Sequence, residues 1–246
     1  MLASLKRLRI PTLLALFAIA LGAAAAAPIR VTLLTGGHDY DRESYLKIYA
    51  ANPEIALTHL EHSPGTADAW DRIDLAACDV VVLYDMPRTI TEAQQAKFRQ
   101  TFERGIGLVV THHALVSYQQ WPEYERIIGG RWIDVPEKGG DPKAKPSGYR
   151  HDVDIPVVIA HRDHPVTAGL GNFLIHDEIY WGYRVGPDVV PLLATTHPDS
   201  GNPLAWTRTE KKSRVVYLLL AHGPSGYADP NYRRLLANAI RWTARP

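Results

Sequence analysis

The apolar residues of this 246-residue chain form short continuous runs separated by amphipathic stretches. The first run, residues 29–34, is rich in β-branched side chains and stops at Gly36-Gly37. Residues 79–84 and 106–111 are equally uninterrupted. Strands that are apolar at successive positions are typical of parallel sheets, which are buried on both faces. Each run is therefore predicted to be a buried strand.

Helical patterns alternate with these strands. Residues 42–51 are predicted to form a helix that Asn52-Pro53 stops, and residues 55–60 a second strand. Residues 91–103 form a helix pattern that Thr89 or Thr91 can cap and that Gly105 ends. This alternation predicts an α/β fold with a doubly wound, mostly parallel sheet.

The second half of the chain is less regular. Residues 136–147 are charged and rich in Gly and Pro, which predicts a loop. Residues 164–170 resemble a short helix, and residues 231–243 a closing amphipathic helix. The further strand candidates are residues 153–159, 189–194, 204–207 and 215–220, the last two as a hairpin around residues 210–213.

The N-terminus has the features of a secretory signal. Lys6, Arg7 and Arg9 precede an apolar stretch, and a run of alanines follows it. The apolar stretch is shorter than the roughly 20 residues that a membrane span needs. We therefore expect residues 1–27 to be a signal peptide and residues 28–246 to be one domain that is periplasmic or secreted. Without the signal, 24 basic residues face 26 acidic ones. This charge balance gives no reason to expect binding to nucleic acid or to a membrane surface. It does not decide whether the protein forms a homo-oligomer.

Cys78 is the single cysteine, so no disulfide can form within the chain. It precedes the apolar run at residues 80–83 and has no basic neighbour in sequence that would lower its pKa. We expect a buried core residue rather than a reactive thiol.

Polar groups collect where the predicted strands end. Ligands of parallel sheets bind in the crevice outside the carboxyl ends of the strands. The candidates are the strand-end residues His38, Asp39, Asp85, His112, His113 and His222, together with His176, Asp177, Glu178 and Tyr180 between them.

The adjacent histidines require a choice. Successive side chains of an extended strand point to opposite faces, so only one of His112 and His113 is expected to face the crevice easily. We assign that position to His112 and expect His113 to support it or to pack behind it. The stretch at residues 176–178 could equally be a solvated face.

The residue types allow two kinds of chemistry. A set of His38, His112, Glu178 and His222 suits a divalent metal such as zinc or manganese. The same groups suit proton transfer without a metal, with Glu178, His112 and His38 as catalytic residues. No HExxH spacing decides between them, and no nucleophile elbow with Ser or Cys is present.

Several motifs together resemble one known family. The segments TGGHDY (35–40), GLVVTHHAL (107–115), WPEYERIIGGRW (121–132) and FLIHDEIYWGY (173–183) are similar to the ThuA-like, or trehalose-utilisation, family. The resemblance implies a flavodoxin-like core in three layers, that is, a class I glutamine amidotransferase-like fold, but without the amidotransferase cysteine. It also implies a role in carbohydrate metabolism. It carries over His38, His112, Glu178 and His222 as site residues, with Asp39, His113, His176 and Tyr180 as neighbours.

The leading functional hypothesis is an enzyme that acts on disaccharides or 3-keto-glycosides by isomerisation, elimination or hydrolysis. Asp39, His113, Tyr180, Trp121 and Trp181 are the candidate substrate-binding residues, since aromatic rings can stack on sugars. The alternative is a non-catalytic sugar-binding or accessory module. A glycosidase with two carboxylates across the sugar is a third hypothesis.

Overall fold

The structure, a computed structural model, describes residues 27–135 and 146–244. Residues 1–26 of the expected signal peptide and residues 136–145 of the predicted loop lie outside these ranges. Within them, no helix combines the length and apolar character that crossing a bilayer requires.

Eleven strands and six helices make up the described chain. The strands are β1 (Ile29–Gly36), β2 (Ile55–Glu61), β3 (Val80–Asp85), β4 (Gly107–Thr111), β5 (Gly130–Arg131), β6 (Gly148–Ile159), β7 (Phe173–Trp181), β8 (Arg184–Val185), β9 (Val190–Thr195), β10 (Ala205–Glu210) and β11 (Ser213–Leu218). The helices are α1 (Arg42–Ala50), α2 (Ala69–Arg72), α3 (Glu92–Glu103), α4 (Pro122–Ile128), α5 (Pro224–Ala228) and α6 (Pro230–Thr243).

A nine-stranded sheet organises the fold, in the order β2-β1-β3-β4-β11-β10-β9-β6-β7. The first five strands are parallel, and the other four extend the sheet in antiparallel fashion. The prediction of an α/β fold around a large, mostly parallel sheet is confirmed. The predicted β10–β11 hairpin is also present.

The core lies on both faces of the parallel strands. Every residue of β3 and β4 is buried, as the continuous apolar runs predict. Helix α6 packs on β4 and β11, and α3 and α4 pack on β11. Burying one Val or Leu side chain contributes about 1.5–3 kcal/mol, so these strands are a main source of stability. Cys78 is buried beside them, and burial raises the pKa of its thiol, in line with a core residue.

Local sequence signals set several boundaries. Thr91 caps α3 in a reciprocal capping box with Gln94, which selects the second of the two predicted caps. The helix predicted at residues 164–170 is only a 3-10 turn over Pro165–Thr167. Gly169, at a φ of +74°, turns the chain immediately after it.

The antiparallel part of the sheet departs most from expectation. Strand β6 begins at Gly148, five residues earlier than predicted, and pairs along its length with β7, which was predicted only as a polar cluster. Both strands have one exposed face, where His176 contacts Asp154. The polar residues of that face interrupt the apolar runs on which the strand predictions relied.

Candidate functional site

Four histidines meet at the carboxyl ends of neighbouring strands. His38 follows β1, His112 and His113 follow β4, and His222 lies four residues beyond β11. In the sheet these strands and β3 are consecutive, in the order β1-β3-β4-β11. A cavity of about 260 Å³ opens here, at the position expected for a ligand in a parallel sheet.

The turn after β4 brings both adjacent histidines toward this site. The strand ends at Thr111, and a 3-10 helix runs over His112–Val116. His112 has a φ of +49°, so the extended geometry assumed from the sequence ends before it. The rings of His112 and His113 lie 5.5 Å apart at 84°. The expectation that they face opposite sides is wrong, because the turn replaces the alternation of a strand.

Glu178 of β7 completes a compact group with two of the histidines. Its Oε2 lies 2.7 Å from His112 Nε2 and 3.2 Å from His222 Nδ1, and the two nitrogens are 3.0 Å apart. His112 and Glu178 are buried, whereas His222 is partly exposed. We call His112, Glu178 and His222 the ligand triad.

The hydrogen bond on the far side of His112 fixes its tautomer. Nδ1–H donates to the carbonyl oxygen of Leu219 at 2.6 Å, because a carbonyl can only accept. In the neutral ring, Nε2 then carries a lone pair, which can accept a hydrogen bond from the Tyr180 hydroxyl at 2.9 Å. A lone pair and a carboxylate oxygen at 2.7 Å repel each other unless a proton or a cation lies between them. The close approach of these two atoms therefore fits either a proton or a cation between them.

Electrostatics agree with this arrangement. Burial alone raises the pKa of Glu178, but the contacts of its carboxylate with His112 and His222 outweigh burial and hold that pKa well below its usual range. The hydrogen bond with Glu178 raises the pKa of His222, against the effect of burial. Glu178 is thus an ionised carboxylate at neutral pH.

The triad fits a divalent ion in donor type and spacing. Ligand atoms around a tetrahedral ion with bonds of about 2.1 Å are about 3.4 Å apart. The observed separations of 2.7, 3.0 and 3.2 Å would need to open by less than 1 Å. The Leu219 carbonyl orients His112 as outer partners commonly orient metal-bound histidines.

His38 lies beside the triad rather than in it. Its ring stacks on His113 at 4.5 Å and meets His222 edge-on at 5.8 Å. Its Nδ1–H donates to the backbone oxygen of Asp39 at 2.6 Å. Among the described residues, the group that could hold a metal contains only the triad.

Gly37 keeps the β1 turn close to the neighbouring strand end. Its φ is +83°, and a Cβ built there would come within 2.7 Å of the Met86 backbone. Glycine is the residue that tolerates both the positive φ and the close approach. The turn carrying His38 is thereby held against the cavity.

Aromatic and apolar side chains form the rest of the cavity wall. Trp132, Tyr149 and Tyr180 line it, together with Met86 and Val116. Trp132 meets Tyr180 edge-on at 5.1 Å. Such a wall can contact the C–H face of a sugar ring, while the triad and the histidines supply polar contacts.

His151 is a site residue that the sequence analysis missed. Its Nδ1 lies 3.3 Å from Glu178 Oε1, the oxygen that does not contact His112. His151 falls within an irregularity of the β6–β7 pairing between Arg150 and Val153, and Asp152 has a φ of +56°. Bulges re-aim side chains near active sites. The only signal for it in the sequence was that apolar and polar residues do not alternate before residue 153.

Asp177 and Tyr84 hold the loop that carries His222. The Asp177 carboxylate accepts the backbone N–H groups of Ala221 and His222, and Ala221 has a φ of +77°. The Tyr84 hydroxyl donates to the His222 carbonyl at 3.0 Å. Asp177 is therefore a positioning residue and does not line the cavity.

Other predicted site residues lie elsewhere. Trp121 is buried against Phe98, with ring centroids 5.3 Å apart, so its predicted role in substrate binding is replaced by core packing. Trp181 packs over Gly148 and is not part of the cavity lining. His176 lies on the exposed face of β7, and Asp39 contributes its backbone oxygen to His38.

The fold and this site together define a class of protein. It has an α/β fold like that of class I glutamine amidotransferases, with a group of histidines at the ends of the parallel strands and Glu178 of β7 beside them. The fold matches a GMP synthase subunit from Thermoplasma acidophilum, with a TM-score of 0.52 and 10% identity over 88% of this chain and 94% of that one.

The chain belongs to the ThuA family, whose description is trehalose utilisation; the family model matches residues 30–243. A ThuA-like protein from Parabacteroides merdae has a TM-score of 0.76 at 19% identity, over 89% of this chain and 90% of that one. A second ThuA-like protein, from Bacteroides uniformis, has a TM-score of 0.63 at 20% identity, over 90% of this chain and 94% of that one. No curated protein matches the chain. Family membership supports a carbohydrate-related role.

Proposed function

We propose that this protein is an exported enzyme that acts on disaccharides or 3-keto-glycosides. Its reaction would be an isomerisation, elimination or hydrolysis at a carbon next to a carbonyl. The observation that supports this most is the convergence of His112 Nε2, Glu178 Oε2 and His222 Nδ1 within 3.2 Å, with Glu178 also lining the aromatic-walled cavity. Residues 1–27 would direct export to the periplasm or beyond.

The triad would hold the divalent metal, with zinc or manganese the best matches to its nitrogen and oxygen donors. When bound, such an ion supplies Lewis-acid polarisation of a substrate carbonyl oxygen. The Leu219 carbonyl accepts the Nδ1–H of His112 and keeps that ring in place. Glu178 Oε1 lies 3.3 Å from His151 Nδ1, and both residues line the cavity. This oxygen would accept a proton from the carbon next to the carbonyl.

The carboxylates of the site favour this chemistry over that of an ordinary glycosidase. Among the described residues that line the cavity, Glu178 is the only carboxylate. Asp177 is bound to backbone N–H groups, and Asp85 is buried against His62 and Tyr118. The usual glycosidase mechanism needs two carboxylates on either side of one bond.

Metal content is the first test. Elemental mass spectrometry on residues 28–246, prepared without chelators, should find near-stoichiometric metal. The double variant His112→Ala/His222→Ala should lose it, while His176→Ala, on the exposed face of β7, should keep it. Wild-type protein without metal would contradict the metal-dependent form of the proposal.

Turnover is the second test. Trehalose and 3-keto-glycosides would be supplied with and without added zinc or manganese, and product formation followed. An enzyme should lose rate in Glu178→Gln while still binding the sugar, with metal content measured in the same samples. A change in affinity without any turnover in the wild type would instead indicate the sugar-binding module.

A further inference from the structure

Tyr149 is an exposed aromatic side chain at the edge of the cavity. The residue is 56% exposed, yet it lines the same cavity as Glu178. Single exposed apolar side chains are common on protein surfaces. Leu174, 62% exposed at the other end of the β6–β7 pair, is an ordinary example. Tyr149 differs from Leu174 because its ring continues the wall of a cavity.

The pairing of β6 with β7 places Tyr149 beside the inner wall. Tyr149 lies directly opposite Tyr180 in this pair. Residues opposite each other in an antiparallel pair carry their side chains on the same face, with Cβ atoms about 4.5–5.5 Å apart. Tyr180 is only 3% exposed, and its hydroxyl lies 2.9 Å from Nε2 of His112. An aromatic surface therefore runs from the ligand triad outward to Tyr149.

Neighbouring groups hold Tyr149 in this position. Trp181 packs over Gly148, where a Cβ would come within 2.4 Å of the indole ring. The ring of Tyr149 meets that of His151 at 67°, with centroids 5.2 Å apart, and His151 in turn contacts Glu178. A surface that is already in place loses little conformational freedom when a ligand binds. Tyr149 is thus preorganised although it is exposed.

The size of the cavity limits what can be enclosed beside the triad. Its volume of about 260 Å³ is below the roughly 300–1,000 Å³ of pockets that enclose drug-sized ligands. The cavity therefore suits one sugar ring better than a whole disaccharide. A second ring joined to the first would extend to the mouth, where Tyr149 offers an aromatic face to its C–H groups.

We propose that Tyr149 is the platform of an outer subsite, on which the second ring of a disaccharide stacks while the first ring occupies the cavity beside the ligand triad. The proposal rests on the sugar ligand proposed above. It makes Tyr149 the residue that favours a two-ring ligand over a one-ring ligand at this site.

Calorimetric titration of residues 28–246 with trehalose and with methyl α-D-glucopyranoside tests the outer subsite. Wild-type protein should bind the two-ring sugar more tightly. Tyr149→Ala should weaken trehalose binding about three- to tenfold and leave binding of the one-ring sugar unchanged. Tyr149→Phe keeps the ring face and should bind both sugars as the wild type does. Leu174→Ala is the matched control, since it removes a similarly exposed apolar side chain away from the cavity, and it should change neither affinity.

The possible failures have different meanings. Unchanged trehalose binding in Tyr149→Ala would refute the outer subsite and leave the proposed function standing. An equal loss for both sugars in that variant would place Tyr149 at the first ring and also refute it. A loss in Tyr149→Phe as large as in Tyr149→Ala would show that the hydroxyl, not the ring face, makes the contact, against the stacking proposed. If the wild type binds neither sugar nor their 3-keto forms, the proposed function fails and the subsite fails with it.

Discussion

Replacing Asp177 by alanine removes the carboxylate that positions the loop of His222. Asp177 is 4% exposed and accepts two backbone N–H groups, those of Ala221 and His222. Each hydrogen bond to a charged group contributes about 1.5–3 kcal/mol. Because the two bonds share one carboxylate whose burial is itself unfavourable, we expect the free energy of unfolding to fall by about 3–5 kcal/mol.

Urea unfolding followed by circular dichroism measures this loss directly. In a domain of about 200 residues, 1 kcal/mol corresponds to about 2–4 °C, so the thermal midpoint should fall by roughly 6–20 °C. Asp177→Asn keeps one acceptor oxygen and should lose about half as much. It should also retain metal better than Asp177→Ala, since His222 stays closer to its place. A loss below about 1 kcal/mol in the alanine variant would refute the positioning role.

Three further predictions concern other parts of the molecule. Gly107→Ala should destabilise by about 1–3 kcal/mol in urea unfolding, because a Cβ there comes within 2.6 Å of α6, while Gly171→Ala, with nothing within 4 Å, should be nearly neutral. Backbone and side-chain hydrogen bonds hold the pKa of Asp68 well below its usual range, so its stabilisation is complete above about pH 4 and is lost as the pH falls. As the pH is lowered, the free energy of unfolding of Asp68→Ala should accordingly fall less steeply than that of the wild type. The same pH dependence in both proteins would contradict this. Trp132→Phe should weaken sugar binding in calorimetric titration by several-fold, whereas Trp121→Phe, in the core, should leave it unchanged.

Elements with a strong local signal could be predicted from the sequence. The apolar runs of β1, β3 and β4 and the capped helix α3 all lie within a few residues of their predicted positions. Each signal depends only on residues inside the element, such as the side chain of Thr91 and its partner Gln94. The prediction of Cys78 as a core residue succeeded for the same reason.

Elements whose polar face is exposed could not be predicted in this way. Strand β7 places Asp177 and Glu178 in buried positions next to the exposed His176, a pattern that resembles a solvated segment when taken alone. His151 depends on a local irregularity in the pairing of β6 with β7, which no single segment encodes. Trp121 was expected at the site because it is aromatic and near a strand end, but its partner Phe98 lies in a different helix.

The α/β class, the parallel strands and the chemical types at their ends follow from the sequence, because burial and periodicity are local properties of the chain. Which of those groups meet depends on how the whole domain packs. The left-handed turn at His112 directs both adjacent rings to the site. Glu178 contacts His112 although its strand, β7, lies at the edge of the sheet and β4 lies inside it. His112 lies about 3 Å from residues that are 66 or more positions away in the chain. These distances result from strand pairing and from the hydrogen bonds that hold the loops, and both depend on the packing of the whole domain.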